Sequence, residues 1–250
     1  MTARTAVAIS SAVAALATAG CLNFYEIPVE TPIHAKLDTS PFQRVLVAGF
    51  VSGGSKTIDP NTETARLLRS QLRTKSQMRV IDADAISLVD EVDKRKGTPP
   101  PQSDEPRILT EQDLEAYESI FTDTAFWKKL GEEYQGPLIV TGSVLFTEVA
   151  KQGMASRPVS SVDQYGRPTV NEVRSFVSMK GFALAPRFVF IDGRTGAVLY
   201  SESFREEQLY QESQTTPALS SYFELMDKLL PGFLNTLSSQ KIRGTRILLK

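Results

Sequence analysis

What this sequence lacks narrows its chemistry first. It has one cysteine and one histidine among 250 residues. A single cysteine excludes an intrachain disulfide. One histidine leaves too few ligands for an ordinary zinc site, which draws on several His and Cys side chains. An excess of either charge is also missing: 28 basic residues face 29 acidic ones, for a net charge of −1. No overall field therefore draws the chain to nucleic acid. Beyond the amino-terminal segment, no apolar stretch is long enough to cross a bilayer as a helix. What is there is an ordinary globular composition, 41% hydrophobic, which argues for a folded domain rather than a disordered chain.

The first twenty residues are of another kind. Arg4 is their only charge, and an alanine-rich apolar core follows from Ala6 to Ala17. That core is too short for a membrane span and has the form of an export signal. It leads into Ala17-Thr18-Ala19-Gly20-Cys21, which resembles a bacterial lipobox, with Thr18 at the usual leucine position. The expectation is a lipoprotein signal peptide over 1–20, cleavage between Gly20 and Cys21, and acyl chains such as palmitate on Cys21. More than one chain makes such anchoring stable. Leu22 follows, where an aspartate would suggest inner-membrane retention, so the outer membrane is favoured. Residues 21–41 carry Pro28 and Pro32 with no helical period and read as an extended tether. His34, the lone histidine, lies there without partners and is not read as a ligand or base.

The domain is expected over 42–240, and 241–250 reads as a basic tail. Arg44 to Phe50 reads as a buried strand, followed by the glycine-bearing loop Gly49–Thr57. A strand, a glycine-rich loop, Lys56-Thr57 and a helix follow the outline of a phosphate-binding loop. However, Ser55 separates Gly54 from Lys56, and the helix starts later, with Asp59 as N-cap and Pro60 at its first position. A plain β–α loop is the better reading. Thr62 to Lys75 predicts an amphipathic helix whose Arg66, Arg69, Arg73 and Lys75 read as a solvated face. A short strand over Met78–Asp82, a helix over Ala83–Lys94, and a proline-rich surface loop at Pro99-Pro100-Pro101 come next. Thr110 with Asp113 predicts a capped helix start, and a helix near Asp123–Tyr134 offers Phe126, Trp127 and Leu130 to the core.

Leu138 to Phe146 is apolar and β-branched and reads as the central buried strand. Its Thr141-Gly142-Ser143 reads as sheet architecture, because no base is paired with it in sequence. Thr147 to Arg174 turns polar and loop-like, and Val173 to Ala185 is extended again. Residues 147–185 therefore read either as a long hairpin at the sheet edge or as an interaction arm. Clean alternation of apolar and polar residues is absent, so a lipid-facing barrel strand is not supported. Arg187–Ile191 and Ala197–Phe204 around Asp192-Gly193-Arg194-Thr195-Gly196 predict a hairpin. A last helix, with an apolar stripe from Phe223 to Leu237, follows Thr216-Pro217.

The set Val45–Phe50, Met78–Asp82, Leu130-Gly131, Leu138–Val144, Phe188–Gly196 and Val198-Leu199 resembles the periplasmic α/β domain of curli-secretion (CsgG-like) lipoproteins, the penicillin-binding-protein activator LpoB and the TolB amino-terminal domain. The resemblance covers about Phe42 to Leu237. It implies one α/β domain, a mixed β-sheet with flanking helices, in a non-catalytic part of a cell-envelope assembly. No enzyme activity, cofactor or metal is expected. Carboxylate-only chemistry stays open, because sequence does not say which Asp and Glu converge. The expected partners are the outer membrane through Cys21 and envelope proteins facing the periplasm, with a homo-oligomer possible. The alternatives are a self-assembling CsgG-like secretion channel built with 147–185, and a nucleotide-binding protein using Gly49–Thr57.

Overall fold

The computed structural model describes residues 24–97, 107–211, 214 and 216–249. The signal segment, Gly20, Cys21 and the triple proline lie outside the described residues. The described chain divides into two units, a domain over Lys36–Ser238 and a ribbon formed by the segments on either side of it.

In the domain, β2 (Arg44–Gly53) is followed by α1 (Pro60–Lys75), β3 (Arg79–Val80), α2 (Leu88–Lys96) and the short α3 (Glu111–Glu115). A 3-10 turn (Glu118–Thr122), α4 (Thr124–Glu133), β4 (Leu138–Val162), β5 (Pro168–Asp192), β6 (Val198–Ser203), β7 (Glu206–Gln211) and α5 (Ala218–Leu237) complete it. The sheet order is β3-β2-β4-β5-β6, with β7 also on β5. β2 runs parallel to β3 and β4, and β5 is antiparallel to β4, β6 and β7. The fold is mixed α/β, as its sequence implies.

The buried strands are apolar or small at nearly every position because the sheet is covered on both faces. Val45, Val47, Leu138, Val140, Phe188 and Phe190 pack with α1 and α5. Leu46, Ala48, Ile139, Val189 and Ile191 pack with Leu88, Val92 and Trp127 of the opposite helical layer. Trp127 donates its indole N–H to the Ile120 carbonyl at 2.7 Å, which satisfies the one polar atom of a fully buried ring.

The helix starts follow their caps. The Asp59 carboxylate accepts the Asn61 and Thr62 amides at the head of α1, and Thr110 with Asp113 forms a complete capping box on α3. The α2 helix starts at Leu88 instead of Ala83. The Ile86 amide is committed to the Ala48 carbonyl at 2.7 Å, so the preceding residues run as extended chain against β2.

Two segments go further than the sequence reading of an extended tether and of a hairpin or arm over 147–185. The segment Phe24–Ile33 is extended, and as β1 it pairs antiparallel with β8 (Gln240–Leu249), the stretch read as a tail. The polar stretch after Thr147 is regular strand as well, since β4 and β5 each run 25 residues without interruption. These strands lie inside the sheet at their root, not at its edge.

Candidate functional site: the hairpin arm and its root

The root of β4 is fixed by Thr141-Gly142-Ser143. Gly142 has φ of 143°, and a side-chain carbon there would meet the Arg187 carbonyl oxygen at 1.8 Å. The register between β2 and β4 shifts between Val47 and Gly49, and the Thr141 hydroxyl, fully buried, donates to the Gly49 carbonyl at 2.7 Å. This hydroxyl thus holds a bulged backbone and serves no nucleophile. Phe146 closes the root: its ring stacks on Phe182 at 5.0 Å and meets Tyr222 edge-on at 5.3 Å. Burial pushes the Tyr222 hydroxyl's pKa well up, and that hydroxyl pairs with Thr64.

Beyond the root the covering ends. Pairing with β2 stops at Gly53 opposite Leu145, and pairing with β7 stops at Gln211 opposite Met179. The β4–β5 ladder continues from Gln152↔Ser178 to Val162↔Pro168, eleven pairs with no third strand among the described residues. At ~3.3 Å per residue this is an arm of roughly 35 Å with both backbone edges open. Its apolar residues face water: Met154 and Phe176, directly opposite one another, are 67% and 66% exposed. Val162, Val170 and Tyr165 are exposed as well. Over 147–185 five basic and three acidic residues give the segment net +2, against −1 for the whole chain.

The arm's tip is closed by a built turn. Gly166 has φ of 77°, and its amide bonds the Asp163 carbonyl at 2.9 Å. The Asp163 carboxylate accepts the Arg167 and Tyr165 amides at 2.9 and 2.8 Å and pairs with the Arg167 guanidinium. The Arg167 amide first, and the Tyr165 amide and Arg167 side chain with it, hold its carboxyl below the usual range against the opposing effect of burial. Nearer the root, the Lys151 ammonium pairs with Glu207 of β7, and the Tyr210 hydroxyl donates to Glu224 of α5 at 2.8 Å. Two open cavities flank this region. One, about 570 Å³, lies between Thr110, Glu111, Leu145, Thr147, Ala183 and Arg205. The other, about 420 Å³, lies between Glu148, Ala150, Lys180, Phe182 and Tyr210.

The other sequence candidates do not form sites. In Gly49–Thr57, the Phe50 amide bonds the Asn61 side chain and the Gly54 amide bonds the Ile108 carbonyl. The Thr57 and Ile58 amides both bond the Ser55 hydroxyl. These amides are committed within the protein, and the α1 N-terminus holds its own Asp59 carboxylate. Of the arginine stripe, Arg66 is paired with Glu63, Arg73 lies 3.0 Å from Asp82, and Arg69 donates to the Val47 carbonyl at 2.9 Å. His34 is exposed, and no cluster of three or more potential metal ligands occurs among the described residues.

No family model matches the chain, and no curated protein does. Solved structures do. A lipoprotein, GNA1162 from Neisseria meningitidis, shares 12% identity at a TM-score of 0.36, over 78% of this chain and 99% of the other. A putative neuraminyllactose-binding hemagglutinin homolog from Helicobacter pylori shares 10% at 0.32, over 85% and 92%. At such scores neither carries a property over to this chain. No described helix is long and apolar enough to cross a membrane.

Proposed function

We propose that this chain is an outer-membrane-anchored periplasmic lipoprotein that acts without catalysis, as an interaction component of a cell-envelope or secretion assembly. Its anchor is Cys21, and its β4–β5 arm is the surface that engages the assembly. The observation that carries the reading is the eleven-pair ladder with both edges open and Met154 and Phe176 exposed on it. Open strand edges recruit further strands, and native proteins ordinarily cover, charge or shorten them. A pairing partner strand would meet main-chain donors and acceptors along the whole arm. The lipobox-like run ending at Cys21 and the sequence resemblance to CsgG-like, LpoB and TolB amino-terminal domains support the same reading.

A second reading is favoured by the same arm. Its two open edges belong to different strands, so β4 of one copy can pair with β5 of the next. That heterologous contact repeats, and it closes into a ring if the rotation fits. On this reading the chain is a self-assembling secretion channel. The nucleotide reading of Gly49–Thr57 is less well supported, because the Gly54 and Thr57 amides are bonded within the protein.

Fractionation tests the anchor and sizing tests the arm. Cys21→Ser is expected to move the protein from membranes to the soluble periplasmic fraction; unchanged retention would contradict the anchor. In mild detergent the intact chain is expected in a species larger than a monomer. Ring-sized homo-oligomers would favour the channel, and a strict monomer with nothing bound would count against both.

A further inference from the structure

The two faces of the arm differ. Residues paired across β4 and β5 share a face, and faces alternate along the strands. Phe146 and its partner Leu184 pack in the α5 layer, so the pairs Ala150↔Lys180, Met154↔Phe176 and Pro158↔Glu172 carry that face outward. On it Met154, Phe176, Val162 and Val170 are 66–70% exposed. Val159 and Val173, on the other face, are 36% and 43% exposed. The charges differ as well. Lys151 of the less exposed face pairs with Glu207 of β7. Glu148, Glu172, Arg174 and Lys180 of the more exposed face have no ion-pair partner among the described residues.

The pattern of the exposed face complements itself. Outward from the root it carries Glu148, Lys180, the Met154–Phe176 pair, Arg174 and Glu172. A second arm, turned end for end about a two-fold axis through Met154–Phe176, lays its β5 along the first β5. The register then brings Lys180 of each copy over Glu172 of the other, and Phe176 onto Phe176. No like charges meet, since Arg174 falls over Ser178 and Glu148 over Ser160. Val170 of one copy falls over Phe182 of the other, at the cavity of about 420 Å³ beside Tyr210. The same-direction arrangement would leave Lys180 over Ala150 and Glu172 over Pro158, with both domains at one end.

We propose that this face of the arm binds a second copy of this chain, lying antiparallel across it, with Met154 and Phe176 at the centre and Lys180 paired to Glu172 on either side. The inference rests on the arm being the chain's interaction surface. Two ribbons ~10 Å wide that overlap over ~40 Å bury roughly 800 Å² in total, a size at which association is weak and reversible.

Sedimentation equilibrium of the Cys21→Ser chain from residue 21 onward tests the contact without lipid. A concentration-dependent monomer–dimer equilibrium is expected. Lys180→Glu should raise the dimer dissociation constant roughly tenfold, as for two exposed ion pairs replaced by like charges. Glu172→Lys should do the same, and the two together should restore the dimer, which shows that neither change acts by misfolding. Because Cys21 is the only cysteine, a thiol can be placed singly in this chain. A short bismaleimide should join two copies through Met154→Cys and not through Ala155→Cys on the opposite face; edge-to-edge pairing of arms would join both alike and overturn the proposal. A monomer at every concentration, or a double charge swap that fails to restore the dimer, would overturn it too. If the detergent-extracted wild type is nevertheless larger than a monomer, only the contact between copies is lost. If that wild type is a monomer with nothing bound, the arm's role falls as well.

Discussion

From Leu138 to Phe146 every residue of β4 is buried, and from Ala150 to Ser160 every residue is exposed. The strand, its partner β5 and their register do not change across that boundary. What changes is the covering: β2, α1, α5 and α4 surround the root, and nothing described surrounds the arm. At the root, burial on both faces demands an apolar or small residue at every position, and the Arg187 carbonyl of β5 demands a glycine at 142. In the arm neither face is selected by a core, so apolar and polar residues mix on both. A two-stranded ribbon in water is marginal alone, and cross-strand pairs such as Met154–Phe176 contribute roughly 0.2–1 kcal/mol each. The arm is thus the part of the domain whose order gains most from a partner, and the root is the part that needs none.

Substitutions can break this contrast, and the largest effect belongs to the root. Phe146→Ala removes the stacking on Phe182 and the edge contact with Tyr222, and should cost ~3–5 kcal/mol in urea unfolding read from Trp127 fluorescence. Tyr222→Phe deletes a buried hydroxyl paired with Thr64 at 2.5 Å, and should cost ~1 kcal/mol in the same assay.

A smaller effect is expected at the arm's tip. The Asp163 carboxyl is held below its ordinary value of 3.8 by the amides it accepts, so the turn is fully supported above that pH. Support is lost as pH falls through the lowered pKa, since the unfolded turn binds the proton more readily. Amide exchange at Tyr165 and Arg167, corrected for intrinsic rates, should quicken on acidification. Asp163→Asn should show that quickening at neutral pH. The smallest stability effect is expected from Phe176→Ser, within about 0.5 kcal/mol of wild type. That substitution should nevertheless weaken the assembly measured in mild detergent. A loss of stability comparable to Phe146→Ala would mean that the arm is part of the folded core.

The root was legible in the sequence and the arm only as one of two readings of 147–185, for one physical reason. The run Leu138–Phe146, the Asp192–Gly196 hairpin, the Asp59-Pro60 start of α1 and the stripe of α5 each carry a local signature imposed by burial or by a cap. An uncovered strand leaves no period, so Thr147 to Arg174 read as loop-like, with a hairpin at the sheet edge as one of two readings, and the structure makes it a continuous ladder that starts from inside the sheet. The β1–β8 pairing joins segments more than two hundred residues apart, and neither declares its partner locally. Strand β7 was missed as well, since Glu206–Gln211 is polar and only half-buried. Cys21 was singled out by sequence pattern alone.

Excising the arm tests the central claim most directly. Gln152 and Ser178 face one another in the ladder, so an Asn-Gly turn can join them and remove the residues between. The native size of the membrane-extracted protein would then be compared for the intact and armless chains. The account predicts an armless chain that stays membrane-bound, unfolds at the same urea concentration as wild type and runs as a monomer. An armless chain that still enters the full-sized assembly would contradict it.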